Sequence, residues 1–111
     1  MEKVDKLKLK NDWKQRGYSF GVFRNPPGQV WADFVHKTDE LVVLTEGEIE
    51  IEIEGRSHFP KIGEEQFIPA KALHTVRNTG STYNVWYYGY KTVQKGSKTV
   101  WPPASVEMVL I

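Results

Sequence analysis

The chain holds three histidines, His36, His58 and His74, and no cysteine. Histidine binds metals and moves protons near neutral pH. The chemistry open to this sequence therefore depends on which histidine meets a carboxylate after folding. Without thiols, disulfides, zinc–thiolate centres and cysteine nucleophiles are excluded. His36 ends the run Gln29–His36, the polar Lys37-Thr38-Asp39 follows, and Glu40 heads the next apolar run. A histidine at one strand end and a glutamate just past the turn can meet across a strand pair. His74 opens a later run, and spacing alone does not bring it to the other two. His58 lies past a turn, in Arg56-Ser57-His58-Phe59-Pro60, and reads as a surface residue.

The elements that must position these side chains are strands. Runs of β-branched and aromatic residues cover Tyr18–Arg24, Gln29–His36, Glu40–Glu46, Glu48–Glu54, Gln66–Ile68, His74–Arg77, Tyr83–Tyr90 and Val106–Ile111. Between them stand turn formers such as Asn25-Pro26-Pro27-Gly28, Gly47, Gly55 and Asn78-Thr79-Gly80-Ser81. Many short strands with regular turns indicate an all-β sandwich or barrel. In Gly47–Gly55 the phase is explicit: Ile49, Ile51 and Ile53 alternate with Glu48, Glu50, Glu52 and Glu54. The isoleucines should be buried and the glutamates solvated. By the same period Phe34 and His36 share one face of their run, and Trp31 and Val35 take the other. Ahead of the strands, Asn11–Gly17 suits one helical turn, with Asn11 as cap and Gly17 as stop.

A length of 111 residues suits a single domain, with a short N-terminal segment over 1–17 and a barrel over about 18–111. Apolar residues make up 40% of the chain, enough for a real core. Fifteen basic against 14 acidic residues provide no broad field for phosphates, so no nucleic-acid partner is expected. No apolar run approaches the roughly 20 residues that span a bilayer, and Met1–Lys10 lacks the apolar stretch of a signal peptide. The expectation is a cytoplasmic protein with no membrane partner.

Two spaced motifs carry a resemblance. The first reads Gly28, five residues, Phe34, Val35, His36, three residues, Glu40, six residues, Gly47. The second reads Gly63, five residues, Pro69, Ala70, Lys71, two residues, His74, three residues, Asn78. In order and spacing they resemble the two motifs of the cupins, and more narrowly those of small single-domain cupins. Phe34 departs from the pattern where the first motif has a histidine, and Lys71 departs where the second has a glycine. The resemblance implies a double-stranded β-helix, or jelly-roll barrel, whose motif His and Glu side chains point inward and hold a divalent metal.

Carried over by position, the implied ligands are His36, Glu40 and His74. Two histidines and one carboxylate suit non-haem iron(II), and also zinc, manganese or nickel, with positions left open for a small-molecule ligand. With Phe34 in place of a fourth ligand, such a metal is expected to be partly occupied or absent. Phe34 and Tyr87 are the expected pocket-lining residues. Dioxygenase, isomerase and lyase chemistries all occur in cupins. Two other readings stay open: a metal-free binding or sensor protein, and a metal-free enzyme using a His/Glu acid–base pair. Asp33 would replace a ligand only through a local bulge. An exposed face with Trp31 and Val35, together with the apolar tail Val106–Ile111, predicts a homodimer.

Overall fold

The structure, a computed structural model, describes residues 4–92. One helix is followed by eight strands: α1 (Lys6–Gln15), β1 (Gly21–Asn25), β2 (Val30–Phe34), β3 (Glu40–Glu46), β4 (Glu50–Ile53), β5 (Arg56–His58), β6 (Glu65–Ile68), β7 (His74–Arg77) and β8 (Asn84–Tyr90). They form two four-stranded sheets, ordered β1-β8-β3-β6 and β2-β7-β4-β5, and every pairing is antiparallel. This is the jelly-roll arrangement, with the two sheets facing each other rather than closed by hydrogen bonds. The apolar tail Val106–Ile111 lies outside the described residues. No described helix is long and apolar enough to cross a membrane.

The core sits between the sheets. Val42 and Leu44 from one sheet meet Ile51 and Val76 from the other, with Ile49, Ile68 and Trp86 completing a cluster exposed by 6% or less. Alternation along β3 explains the arrangement: Glu40, Val42 and Leu44 point inward, while Leu41 and Val43 point outward. The outward pair would be exposed were it not for α1, whose Trp13 is 0% exposed and covers them. Gly89 on β8 makes this possible, because a Cβ there would collide with Ser19 O and the Trp13 ring.

The structure departs from the sequence reading at several places. The helix begins at Lys6, not after Asn11. Asp5 caps it, its carboxylate accepting the Lys8 N–H at 3.1 Å, and Gly17 ends it with φ 87°. A short strand, β5, follows a two-residue turn at Glu54-Gly55, both with positive φ (48° and 83°). The strand Arg56–His58 has no apolar alternation to announce it, and only its backbone pairing with β4 defines it.

A further correction concerns β2. Trp31 pairs with Val76 and Phe34 with His74, so an extra residue is inserted between them. The backbone bends at Asp33, whose φ is 57°. This bulge resets the side-chain parity, so Trp31 and Phe34 both turn inward. Trp31 packs on Phe23, and its indole N–H donates to Asn25 Oδ1 at 2.8 Å. Val35 alone of the expected pair is exposed. The phase set by the isoleucines is as expected, with Ile49 and Ile51 buried and Ile53 half-buried against the core. Two of the glutamates are less solvated than expected: Glu50 and Glu52 are half-buried and pair with Arg77 at 3.3 and 2.9 Å.

Candidate functional site

Three separate elements supply one cluster. Glu40 opens β3 in the first sheet, flanked by Tyr90 and Ile68. His74 opens β7 in the second sheet, flanked by Phe34 and Ile53. His36 lies on the loop that carries the chain from one sheet to the other. That loop is fastened from outside: Lys71 N–H donates to His36 O at 2.7 Å, Ala70 N–H to Asp39 Oδ1 at 2.8 Å, and Lys91 N–H to Asp39 O at 2.9 Å. The second motif thus fixes the loop that presents the first motif's histidine.

The Nε2 atoms of His36 and His74 lie 3.4 and 3.6 Å from the same oxygen, Glu40 Oε1. A ligand atom from each residue falls within 4.8 Å of the others. Glu40 and His74 are 4% and 3% exposed, yet Glu40 Oε1 has no hydrogen-bond partner. A buried polar atom with no partner is costly and calls for an explanation. The donor set offers one. His74 Nδ1 lies 3.1 Å from Ala72 O. A carbonyl only accepts, so Nδ1 carries the hydrogen and Nε2 is left with a lone pair facing Glu40. For metal bonds of about 2.1 Å, neighbouring ligands of a tetrahedral ion stand roughly 3.4 Å apart. The Nε2–Oε1 separations are close to that spacing, so the residues present fit a single divalent ion.

Burial shapes the charges here. It raises Glu40 from 4.5 to about 8. Burial, and then the neighbouring His74, lowers His36 from 6.5 to about 4. His74 is lowered by burial, partly offset by its bond to Ala72 O. At neutral pH both imidazoles are therefore neutral, the form that ligates metals, and Glu40 holds the proton that an ion would displace.

Aromatic side chains surround the cluster. Phe34 stacks on His36 with centroids 6.2 Å apart and lies 6.3 Å from His74. Tyr90 meets His36 edge-on at 4.9 Å. Tyr88 points into the same interior; its hydroxyl is raised by burial and then by the Glu40 charge. Tyr87 is corrected. It lies on the opposite face of β8, packed on Phe20 at 5.0 Å within the outer cluster under α1. Alternation along Trp86–Tyr90 would have distinguished Tyr88 and Tyr90 from Tyr87, had the inward phase of β8 been known. Asp33 is on a bulge, but it is exposed and its N–H donates to Thr75 Oγ1 at 3.0 Å. His58 is half-buried on β5, paired with Ile51, and is not in the cluster. An apolar groove of about 360 Å³ borders Leu44, Gly47, Phe59 and Ile62, at the far end of β3 from Glu40.

Residues 21–89 match the model of the cupin domain. No curated protein matches the chain in sequence. Among solved structures, an oxalate oxidase in complex with the substrate analogue glycolate superposes with a TM-score of 0.62 and 22% identity, over 68% of this chain and 42% of that one. A salicylate 1,2-dioxygenase from Pseudaminobacter salicylatoxidans gives 0.63 and 17%, over 68% and 22%. A cupin 2 conserved barrel domain protein from Salinispora arenicola gives 0.61 and 17%, over 68% and 63%. The aligned part of this chain thus spans less than half of the oxalate oxidase. At these identities the likeness is one of fold.

Proposed function

This chain belongs to the cupin family, and on that premise we propose that His36, Glu40 and His74 hold one divalent metal ion at which a small organic ligand binds. The observation that carries this reading is Glu40 Oε1, buried, unpartnered and facing two imidazole Nε2 atoms. When bound, the metal supplies Lewis-acid or redox chemistry at the positions the protein leaves open. The chain's own residues hold and orient. His74 is set by Ala72 O, His36 by the fastened loop, and Glu40 by its place in the middle of the first sheet. Phe34 leaves one side of the centre apolar. The oxalate oxidase and the salicylate dioxygenase share the fold, and their names support an oxidative reaction on a small organic acid as the activity to test first.

Elemental analysis of the purified protein, after dialysis against iron, zinc, manganese or nickel, tests the reading. About one bound ion per chain, lost in His74→Ala, is expected. If wild-type protein retains no ion after loading, the metal reading fails. A second reading would then move ahead, a metal-free enzyme in which His36 or His74, neutral through burial, is the general base and Glu40 its orienting partner.

A further inference from the structure

Resting on the metal reading, we infer that the ligand of this centre is a monoanionic aromatic compound, bound to the metal by its anionic group with its ring between the two sheets. Six side chains form a closed circuit of ring contacts beside the cluster. Phe34 meets His36 (6.2 Å), His36 meets Tyr90 (4.9 Å), and Tyr90 meets Tyr88 (5.8 Å). Tyr88 meets Phe23 (6.3 Å), Phe23 meets Trp31 (5.5 Å), and Trp31 returns to Phe34 (6.5 Å). The circuit crosses between sheets, with Phe23 and Tyr88 on one and Trp31 and Phe34 on the other. Among the described residues, no ring contact joins Trp31 or Phe34 directly to Tyr88 across it.

All six rings are half-buried, whereas the core deeper between the sheets, including Trp86, which meets Phe23 (5.2 Å) and Tyr88 (6.1 Å), is almost wholly buried. Large rings that face one another and still touch solvent are a surface that an aromatic guest would cover. Edge and face contacts with such a guest add to the area it buries. Glu40, buried with a free carboxylate oxygen, stands at the foot of this circuit beside His36.

Charge fixes the other half of the inference. Among the described residues, Glu40 is the one fully buried acid, and no lysine or arginine is buried. A divalent ion with one carboxylate carries a net charge of +1. One anionic group on the ligand neutralises it. A second, drawn in among these half-buried rings, would be a charge with no buried cation to receive it, which is unfavourable.

The test uses zinc-loaded full-length protein, with zinc content measured first, and calorimetric titration with three carboxylates. Benzoate has the ring and one charge, acetate the charge without the ring, and terephthalate the ring with two charges. Benzoate is expected to bind about tenfold tighter than acetate or better, the least that burying a phenyl ring should give, and terephthalate more weakly than benzoate. Phe34→Leu and Tyr88→Leu, which keep apolar bulk without the ring, are each expected to narrow the benzoate-to-acetate ratio. Benzoate no tighter than acetate, or terephthalate as tight as benzoate, overturns the inference while the metal reading stands. Protein that takes up no zinc overturns the metal reading and this inference with it.

Discussion

Glu40 is the one fully buried acid among the described residues, and its protonation gives the first prediction. Its pKa is raised from 4.5 to about 8, so between those values the folded metal-free protein holds a proton that the unfolded chain releases. Stability from this group is full below pH 4.5 and is lost as pH rises towards 8. His36, lowered from 6.5 to about 4, acts in the opposite sense, its contribution being full above 6.5 and lost as pH falls to 4. From pH 6.5 to 8 the Glu40 effect therefore acts alone. Metal-free protein should lose up to about 2 kcal/mol over that range, seen as a falling melting temperature. Zinc affinity should rise about tenfold per pH unit over the same range, as binding releases the Glu40 proton, and level off above pH 8. A flat affinity profile would show that Glu40 is not a ligand. The second prediction concerns Phe34, which touches both imidazoles. Phe34→His adds a third imidazole and should tighten nickel binding about tenfold or more; unchanged affinity in competition with a chelator would show that this side chain does not reach the ion. Lys71 gives the third. It keeps the left-handed backbone (φ 67°) that a glycine would adopt freely. Lys71→Gly should therefore stabilise the fold by about 1 kcal/mol, or raise its melting temperature by about 4 °C.

At the scale of elements, what the sequence revealed and what it hid have separate physical causes. Glu40–Glu46 and His74–Arg77 are strands with the boundaries read from their residues, because both are bounded by turn residues. Glu48–Glu54 showed its buried face because isoleucine and glutamate alternate without interruption. β2 concealed its phase, since one inserted residue at Asp33 reverses parity and no residue type marks it. Uninterrupted period two would place Trp31 outward, and the bulge turns it inward. The site was legible in its members but not in its geometry. His36 and Glu40 are near in sequence, whereas His74 joins them only through the facing of two sheets. The helix was half legible: Gly17 marks its end, but Asn11 puts its start too late, since Asp5 is the cap. What fixes its position is Trp13, wholly buried, with its indole N–H donating to Glu65 Oε1 at 3.2 Å. Arg16 braces the same glutamate at 2.8 Å, which holds the Glu65 carboxyl below its usual range. Trp13→Ala should destabilise the protein by about 3–5 kcal/mol in urea unfolding, while Arg16→Ala, on the exposed rim, should cost about 1 kcal/mol or less. Equal losses would mean that α1 is held by its ion pairs and not by its buried ring.

At the scale of the whole molecule the exposed sheet edges bear on assembly. A two-sheet sandwich of this kind leaves edge strands at both sides, and here β1 and β2 are the edges of their sheets on the side that carries the aromatic circuit. Unpaired edges invite pairing with another chain unless they are covered. Apolar side chains stand exposed along them: Val22 on β1 at 46%, Val30 on β2 at 47%, and Val35 just beyond β2 at 57%. The inward turn of Trp31 removes the aromatic part of the face on which association was first expected, so the aliphatic edge carries the expectation that remains. A homodimer joined along β2 would bury Val30 and Val35 and hold the Phe34–His36 segment, and with it one wall of the site. The expected result is a light-scattering mass at micromolar concentration of twice the 12.8 kDa chain. Val35→Glu, which puts like charges against each other across a symmetric interface, should return it to one chain mass without unfolding it. Because β2 carries Phe34 and leads to His36, the monomeric variant should also bind zinc more weakly than the wild type. Wild-type protein of one chain mass would rule out the β2 dimer. A Val35→Glu protein that stays dimeric would place the interface elsewhere.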